Sequence, residues 1–249
     1  VLNEVIPLRT DHVMTAVTPE SSLAEQTYRT LRRRIILGDY TQGARLVEAT
    51  LAAELNVSRL PIREALPQLE NEGFVRTLPR RSSRVVEWTE ADITELFDAR
   101  LSLETLAARL AARAAAGGAS LEPLRKAIAD EHRALDGNDW LEVAETSTVV
   151  HEVIVRIGGS ALLNSLMRAV TGRMTWLFYL TSARDQRQQS DEHHEMLEAI
   201  GAGNERLAES IAFTHIEKGR APSLSLLTQA TTAEGDIGGD TGSRRLGRP

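Results

Sequence analysis

The run Leu51-Ala52-Ala53-Glu54-Leu55-Asn56-Val57-Ser58-Arg59-Leu60-Pro61-Ile62-Arg63-Glu64-Ala65-Leu66 decides the reading of this chain. Leu51, Ala52 and Leu55 share one face of a short helix that starts near Glu48, Asn56-Val57 turns the chain, and Ser58 caps a second helix running toward Gly73. Two short helices joined by a tight turn predict a helix-turn-helix. Arg59 and Arg63 stand four apart and project from one face of the second helix, where each can form the bidentate contact to guanine that arginine makes best. Ser58 can offer its hydroxyl to a phosphate beside the backbone donors of the helix N-terminus. Ile62, Ala65, Leu66 and Leu69 form the opposing face, which packs on Leu51 and Leu55.

Upstream, Ser21 or Ser22 caps a helix whose apolar positions Leu23, Tyr28, Leu31, Ile35 and Ile36 recur until Gly38 stops it. A turn rich in Gly38, Asp39, Gln42 and Gly43 leads into the motif. Downstream, Phe74 to Leu78 and Arg84 to Trp88 are strand-like and flank Pro79-Arg80-Arg81-Ser82-Ser83, a basic hairpin that reads as a wing. Residues 1–20 lack periodicity and are expected to be a flexible arm, so the DNA-binding unit is placed at 21–88. From Thr89 to about Ala230 every segment reads helical. Breaks at Gly117-Gly118, Gly137-Asn138, Gly158-Gly159, Ser182 to Gln189 and Gly201 to Gly203 divide it into six helices near 91–116, 120–136, 139–157, 160–181, 190–201 and 204–229. Gly172 is a possible split in the fourth. The helical unit is placed at 89–230, and 231–249, rich in Gly, Thr, Asp and Arg, is expected to be disordered.

Charge distribution supports the division. The chain carries a net charge of −6, but Val1 to Trp88 holds 12 Lys+Arg against 11 Asp+Glu, or +1, and the remainder 17 against 24, or −7. The basic residues of the first part are all arginine and cluster at Arg32 to Arg34 and at Arg76, Arg80, Arg81 and Arg84, as phosphate contact requires. With no cysteine there is no disulfide framework, Cys-based zinc site or thiol catalysis. No apolar run approaches the roughly 20 residues needed to span a bilayer, and the first 20 residues show no secretory pattern, so a cytoplasmic location is expected.

On Ser-Arg-x-Pro-x-Arg-Glu-Ala-Leu at Ser58 to Leu66, followed by Glu70-Asn71-Glu72-Gly73-Phe74, the chain resembles the GntR family of bacterial regulators in its FadR-type branch, over about residues 21 to 230. The resemblance implies a mainly α protein: an N-terminal winged helix-turn-helix and a C-terminal helical bundle of the FCD type. It implies that Ser58, Arg59, Arg63 and the wing tip at Arg81 and Ser82 contact DNA, on a short palindrome of GT…AC character, as a homodimer. It further implies a repressor released by a small organic acid, with effector binding and dimerisation in the unit at 89–230. Two positions depart from the pattern. Wings of this family usually carry glycine where Ser82 stands, and Pro67 lies inside the recognition helix, removing the amide that would bond the Arg63 carbonyl.

Helical phase separates the histidines of the second unit. His151, His193 and His215 lie on apolar faces of three helices and could converge on a divalent metal, although a single histidine there is more often a core residue than a ligand. His194 points elsewhere, while His132 shares a phase with Leu124, Ile128 and Leu135 and is not excluded by spacing. FCD domains commonly hold a metal of the Zn, Ni or Mn class through one Asp and three His; the resemblance assigns the histidines to His151, His193 and His215. The Asp position, one turn before the first His, is Ser147 here. Arg100 faces the core with Ile93, Phe97 and Glu104; it either pairs with Glu104 or, as the resemblance implies, holds the carboxylate of the effector. The alternative function is a metal-dependent hydrolase or lyase built on the three histidines and a water, which leaves the DNA-reading head unexplained.

Overall fold

The computed structural model describes residues 22–77, 83–137, 139–182 and 185–237. The expected N-terminal arm, the wing tip with Arg81 and Ser82, and residues 238–249 lie outside them. Helix α1 (Leu23–Leu37) opens on Ser22, whose side chain accepts the Glu25 amide, and closes on Gly38 at φ 83°, a left-handed position that glycine takes without a Cβ penalty. Strand β1 (Arg45–Leu46) leads into α2 (Glu48–Glu54) and α3 (Arg59–Asn71). Between these helices Asn56 sits at φ 53°, the one non-glycine residue with positive φ among the described residues; asparagine tolerates that region, and this makes the tight turn.

Strands β2 (Val75–Thr77) and β3 (Ser83–Val85) follow, and the sheet order is β1-β3-β2, all antiparallel. Two expectations are corrected here. The second wing strand is shorter than Arg84 to Trp88 and starts one residue earlier, and a third strand, β1, comes from the stretch read as turn. Its two residues are too few to show alternation; they are strand because Arg45 and Leu46 find Arg84 and Ser83 across the ladder. Pro67 does not break α3, which runs continuously to Asn71. The proline is on the exposed side, where water can reach the carbonyl that lacks its amide.

The second unit holds six helices: α4 (Glu90–Ala116), α5 (Glu122–Gly137), α6 (Trp140–Ile157), α7 (Ala161–Leu180), α8 (Gln186–Gly201) and α9 (Glu205–Ile237). Thr89 and Asp92 form a reciprocal capping box that starts α4 immediately after the winged head. Helix α4 is the axis, packed along α9, α6 and α8; the buried small residues Ala107, Ala108, Ala111 and Ala112 face a bundle to which α9 contributes Ala208 and Ala212. Helix α9 continues to Ile237, past the expected end at 229 and into a stretch whose composition reads as disordered. Helix α7 is not split at Gly172.

That glycine instead marks where the two units meet. A Cβ on Gly172 would stand 2.8 Å from Glu72 Cβ and 2.9 Å from Phe74 Cε2, so α7 lies directly on the corner between α3 and β2. Phe74 stacks on Trp176 of α7 at 5.5 Å between ring centroids, and Trp88 meets the same ring edge-on at 5.7 Å. The Tyr28 hydroxyl donates to Glu72 at 2.6 Å, and Arg32 Nη1 donates to Glu145 Oε1 of α6 at 3.0 Å. One continuous apolar core therefore runs from the head into the bundle.

Candidate DNA-reading face and buried histidine centre

In α3 the split between faces is complete. Pro61, Ile62, Ala65, Leu66 and Leu69 are buried, and Arg59, Leu60, Arg63 and Pro67 are exposed. Ser58 holds the N-cap position with extended backbone but makes no side-chain capping bond, so its hydroxyl is not spent on the helix. Arg63 is not loose: its Nε donates to Glu48 Oε2 at 2.7 Å. That bond across the helix-turn-helix uses one edge of the guanidinium and turns the rest outward. On the wing, Arg84 Nη1 donates to the Gly43 carbonyl at 2.8 Å, while Arg76 is exposed. The sequence pointed to Ser58, Arg59 and Arg63; Glu48 was missed, because a glutamate opening a helix reads as an ordinary dipole partner.

The histidines reached by helical phase come together. His151 of α6, His193 of α8 and His215 of α9 are buried, with ring centroids 5.0, 5.4 and 4.7 Å apart and one ligand nitrogen of each within 4.8 Å of the others. His132 is not among them; it packs edge-on against His194 at 4.9 Å, and its Nδ1 lies 3.2 Å from Ser190 Oγ.

Each of the three rings is braced by a glutamate from another helix of the bundle. His193 Nδ1 lies 2.8 Å from Glu131 Oε2, His215 Nδ1 2.8 Å from Glu192 Oε2, and His151 Nδ1 2.6 Å from Glu104 Oε2. With every Nδ1 facing a carboxylate, the Nε2 atoms are left to point inward. Those of His151 and His193 are fully buried without a partner. A buried polar atom left unpaired costs about 1–3 kcal/mol, so two orphaned nitrogens aimed at a shared centre mark a place built for a third party. Imidazoles fixed through Nδ1 by carboxylates, with Nε2 free, form the outer arrangement that orients histidines toward a metal.

The charges agree. Glu104, Glu131 and Glu192 are buried with Arg100 as the one buried basic side chain among the described residues, and Lys218 at the rim bonds Glu192 Oε1 at 2.9 Å. Three carboxylates against the Arg100 guanidinium and the rim ammonium of Lys218 leave a net negative charge that a cation offsets. Burial pushes His215 down to about 3 against the pull of Glu192, and also pushes His151 below its ordinary value, so both stay neutral and able to ligate. Burial alone would raise the glutamates. The adjacent His193, with hydrogen bonds from His193, Ser147 and Ser190, instead holds Glu131 at about 2; His215 and Lys218 hold Glu192 at about 2. Arg100 and His151 hold Glu104 well below the carboxylate range.

Ser147 is buried and bonds Glu131, one step out from the histidines. Arg100 does what the first of its two readings expects. Its Nε donates to Glu104 at 2.7 Å, and its guanidinium lies between the Phe97 and Phe178 rings at 5.4 and 5.0 Å. Glu131 and Glu192 were missed in the sequence, and Glu104 was read as a partner of Arg100 without its contact to His151. Glu131 had a signal, since it falls in the apolar stripe of Leu124, Ala127, Ile128 and Ala134, where a carboxylate must have a partner.

A winged helix-turn-helix head joined by a shared core to a helical bundle with a polar centre defines a DNA-reading regulator with a sensor behind it. Known families match both parts. Residues 23–85 match the model of the bacterial regulatory proteins of the gntR family, and residues 95–218 match the FCD domain. The chain is 30% identical over 199 residues to the "Probable D-xylose utilization operon transcriptional repressor" of Paenarthrobacter nicotinovorans, covering 78% of this chain and 85% of that one. It is 28% identical over 193 residues to YdhC, an uncharacterized HTH-type transcriptional regulator of Bacillus subtilis (strain 168), covering 76% and 86%. A crystal structure of a GntR transcriptional regulator from Rhodococcus sp. RHA1 superposes with a TM-score of 0.68 at 26% identity, covering 81% of this chain and 97% of that one. The chain belongs to the GntR family, in the group that carries an FCD domain, and is a DNA-binding transcriptional regulator.

Proposed function

We propose that this regulator is a cytoplasmic homodimeric repressor that leaves a palindromic operator when a small organic acid binds in the helical unit. The observation that carries the sensor half is the set of three imidazoles, each braced by a buried glutamate and with one ligand nitrogen apiece within 4.8 Å of the others, the Nε2 atoms of His151 and His193 being buried without a partner. In this reading His151, His193 and His215 hold a divalent ion. When bound, the ion supplies a Lewis-acid anchor for a carboxylate. Ser147, a neutral hydroxyl turned to Glu131, leaves the protein without an anionic ligand there, and the effector's carboxylate fills that role. Arg100 keeps Glu104 in place through Nε, and its remaining donors face the same carboxylate.

The DNA half rests on Ser58, Arg59 and Arg63, with Arg81 and Ser82 as wing-tip contacts. Repression agrees with the printed function of the Paenarthrobacter relative. Release follows from geometry: two half-sites have fixed spacing, so a small rotation of the heads costs affinity, and a coupling of about 1–3 kcal/mol changes occupancy roughly 5- to 150-fold. The hydrolase or lyase alternative is not favoured, because all three glutamates around the histidines are committed to imidazoles and none is left as a general base. Gel-shift of promoter fragments, its own upstream region included, with and without di- and hydroxy-acids tests the reading. Retardation at low salt that is relieved by one class of acid is expected; no retarded promoter refutes it.

A further inference from the structure

Among the large apolar side chains of α3, Leu60 stands apart. Ile62, Leu66 and Leu69 are at most 7% exposed, whereas Leu60 is 63% exposed. It occupies the second position after the Ser58 cap, in the first turn of the helix. At about 100° per residue, Arg59, Arg63, Pro67 and Leu60 share one arc of roughly 100°, opposite the buried stripe. Leu60 therefore lies at the edge of that arc, about 60° past Arg63 and 100° past Arg59, flanking the arginines on the end of the helix that enters a groove. Nothing in the head requires it there. The core face of α3 is already complete, and the side chain does not reach the docking face on α7, which belongs to Glu72, Gly73 and Phe74.

We propose that Leu60 is a specificity-determining residue that reads the C5-methyl group of a thymine in each half-site. This rests on the proposal above that Arg59 and Arg63 meet base edges. Of the base pairs, only those with thymine present an apolar methyl in the major groove, and an aliphatic side chain exposed beside two guanine-reading arginines has no other base-edge partner of matching chemistry. The arginines fix the register. Leu60 then distinguishes T·A from C·G at the neighbouring pair, because a cytosine offers an amino donor that leucine cannot accept and would leave desolvated.

The test uses the duplex that the full-length protein itself enriches from a random-sequence library, with each thymine replaced in turn by deoxyuridine, which deletes only the methyl. Binding is measured by fluorescence anisotropy for the parent chain, Leu60→Ala and Arg63→Ala. For the parent, one symmetric pair of thymines is expected to be sensitive, with affinity falling about 4-fold per half-site, the equivalent of one buried methyl. For Leu60→Ala the same replacement is expected to have no effect, and the two changes to be non-additive. An equal deoxyuridine loss in the parent and Leu60→Ala, or no sensitive thymine, overturns the proposal. Because Leu60 is exposed, the variant retains its fold, which unchanged helicity and melting verify. If no sequence is enriched, or Arg63→Ala binds the enriched duplex as the parent does, it is the base-reading assignment that fails instead, and the inference falls with it.

Discussion

Replacing Gly172 by alanine sets two effects of opposite sign against each other. Gly172 lies inside α7, where alanine is favoured over glycine by about 1 kcal/mol, so with space around it the change stabilises. There is no space. The new methyl would stand 2.8 Å from Glu72 Cβ and 2.9 Å from Phe74 Cε2, against an ordinary carbon–carbon contact of about 3.5–4.0 Å. Neither neighbour can swing clear. A Cβ is one bond from the backbone, Glu72 is tied by Tyr28, and Phe74 is fully buried between Trp176 and the Arg32 guanidinium. Overpacking of this kind costs about 1–3 kcal/mol, and with two rigid neighbours the upper end applies. The net effect is a destabilisation of about 2 kcal/mol, which for a chain of this size lowers Tm by roughly 4–8 °C. Gly137, at the end of α5 with nothing within 4 Å, is the control, and its alanine variant is expected to melt slightly higher. The consequence extends to function. Helix α7 carries Gly172 and Trp176 at the head and, two residues on, Phe178, whose ring lies 6.0 Å from His151. Prying the head from α7 should therefore weaken the effect of an organic acid on DNA binding. The assay is calorimetry of both variants with anisotropy on promoter DNA. A Gly172→Ala protein that melts higher than its parent and responds fully to effector refutes the docking of the head on α7 as the coupling joint.

Three further outcomes follow from the same geometry. Elemental analysis of the purified chain should find about one divalent ion per protomer, and adding back metal at 100 times its Kd to stripped protein should stabilise it by about 2.7 kcal/mol, raising Tm by roughly 5–11 °C. His193→Ala should lose both effects; a chain free of metal whose melting ignores added ions counts against the site. Glu131→Gln keeps the volume but replaces the carboxylate that braces His193, and is expected to weaken metal affinity about 10- to 100-fold with little change in helicity, measured by competition with a chromophoric chelator. Glu48→Ala removes a negative charge from the DNA-facing side, so charge alone predicts tighter binding everywhere. Loss of the bond that orients Arg63 predicts instead that non-specific affinity rises while specific affinity falls about tenfold, and a uniform gain on all sequences excludes an orienting role.

The sequence by itself determined the elements and what each turns inward. Asn56 at the turn, Ser58 at the cap and the apolar stripe of Ile62, Ala65, Leu66 and Leu69 are local facts, and helical phase alone brought His151, His193 and His215 to apolar faces. What phase cannot give is the partner across the bundle. His193 meets Glu131, 62 residues away, and a period of 3.6 says that both are inside without saying that they touch. The choice between two partners for Arg100 was left to the tertiary structure for the same reason, as were strand β1 and the docking of Gly172 on Phe74. Burying charge is tolerated only where opposite charge is brought beside it, and that pairing is decided by how helices pack. A DNA reader and a set of inward histidines are thus legible from local pattern; packing made those histidines a centre and joined it to the reader through α7.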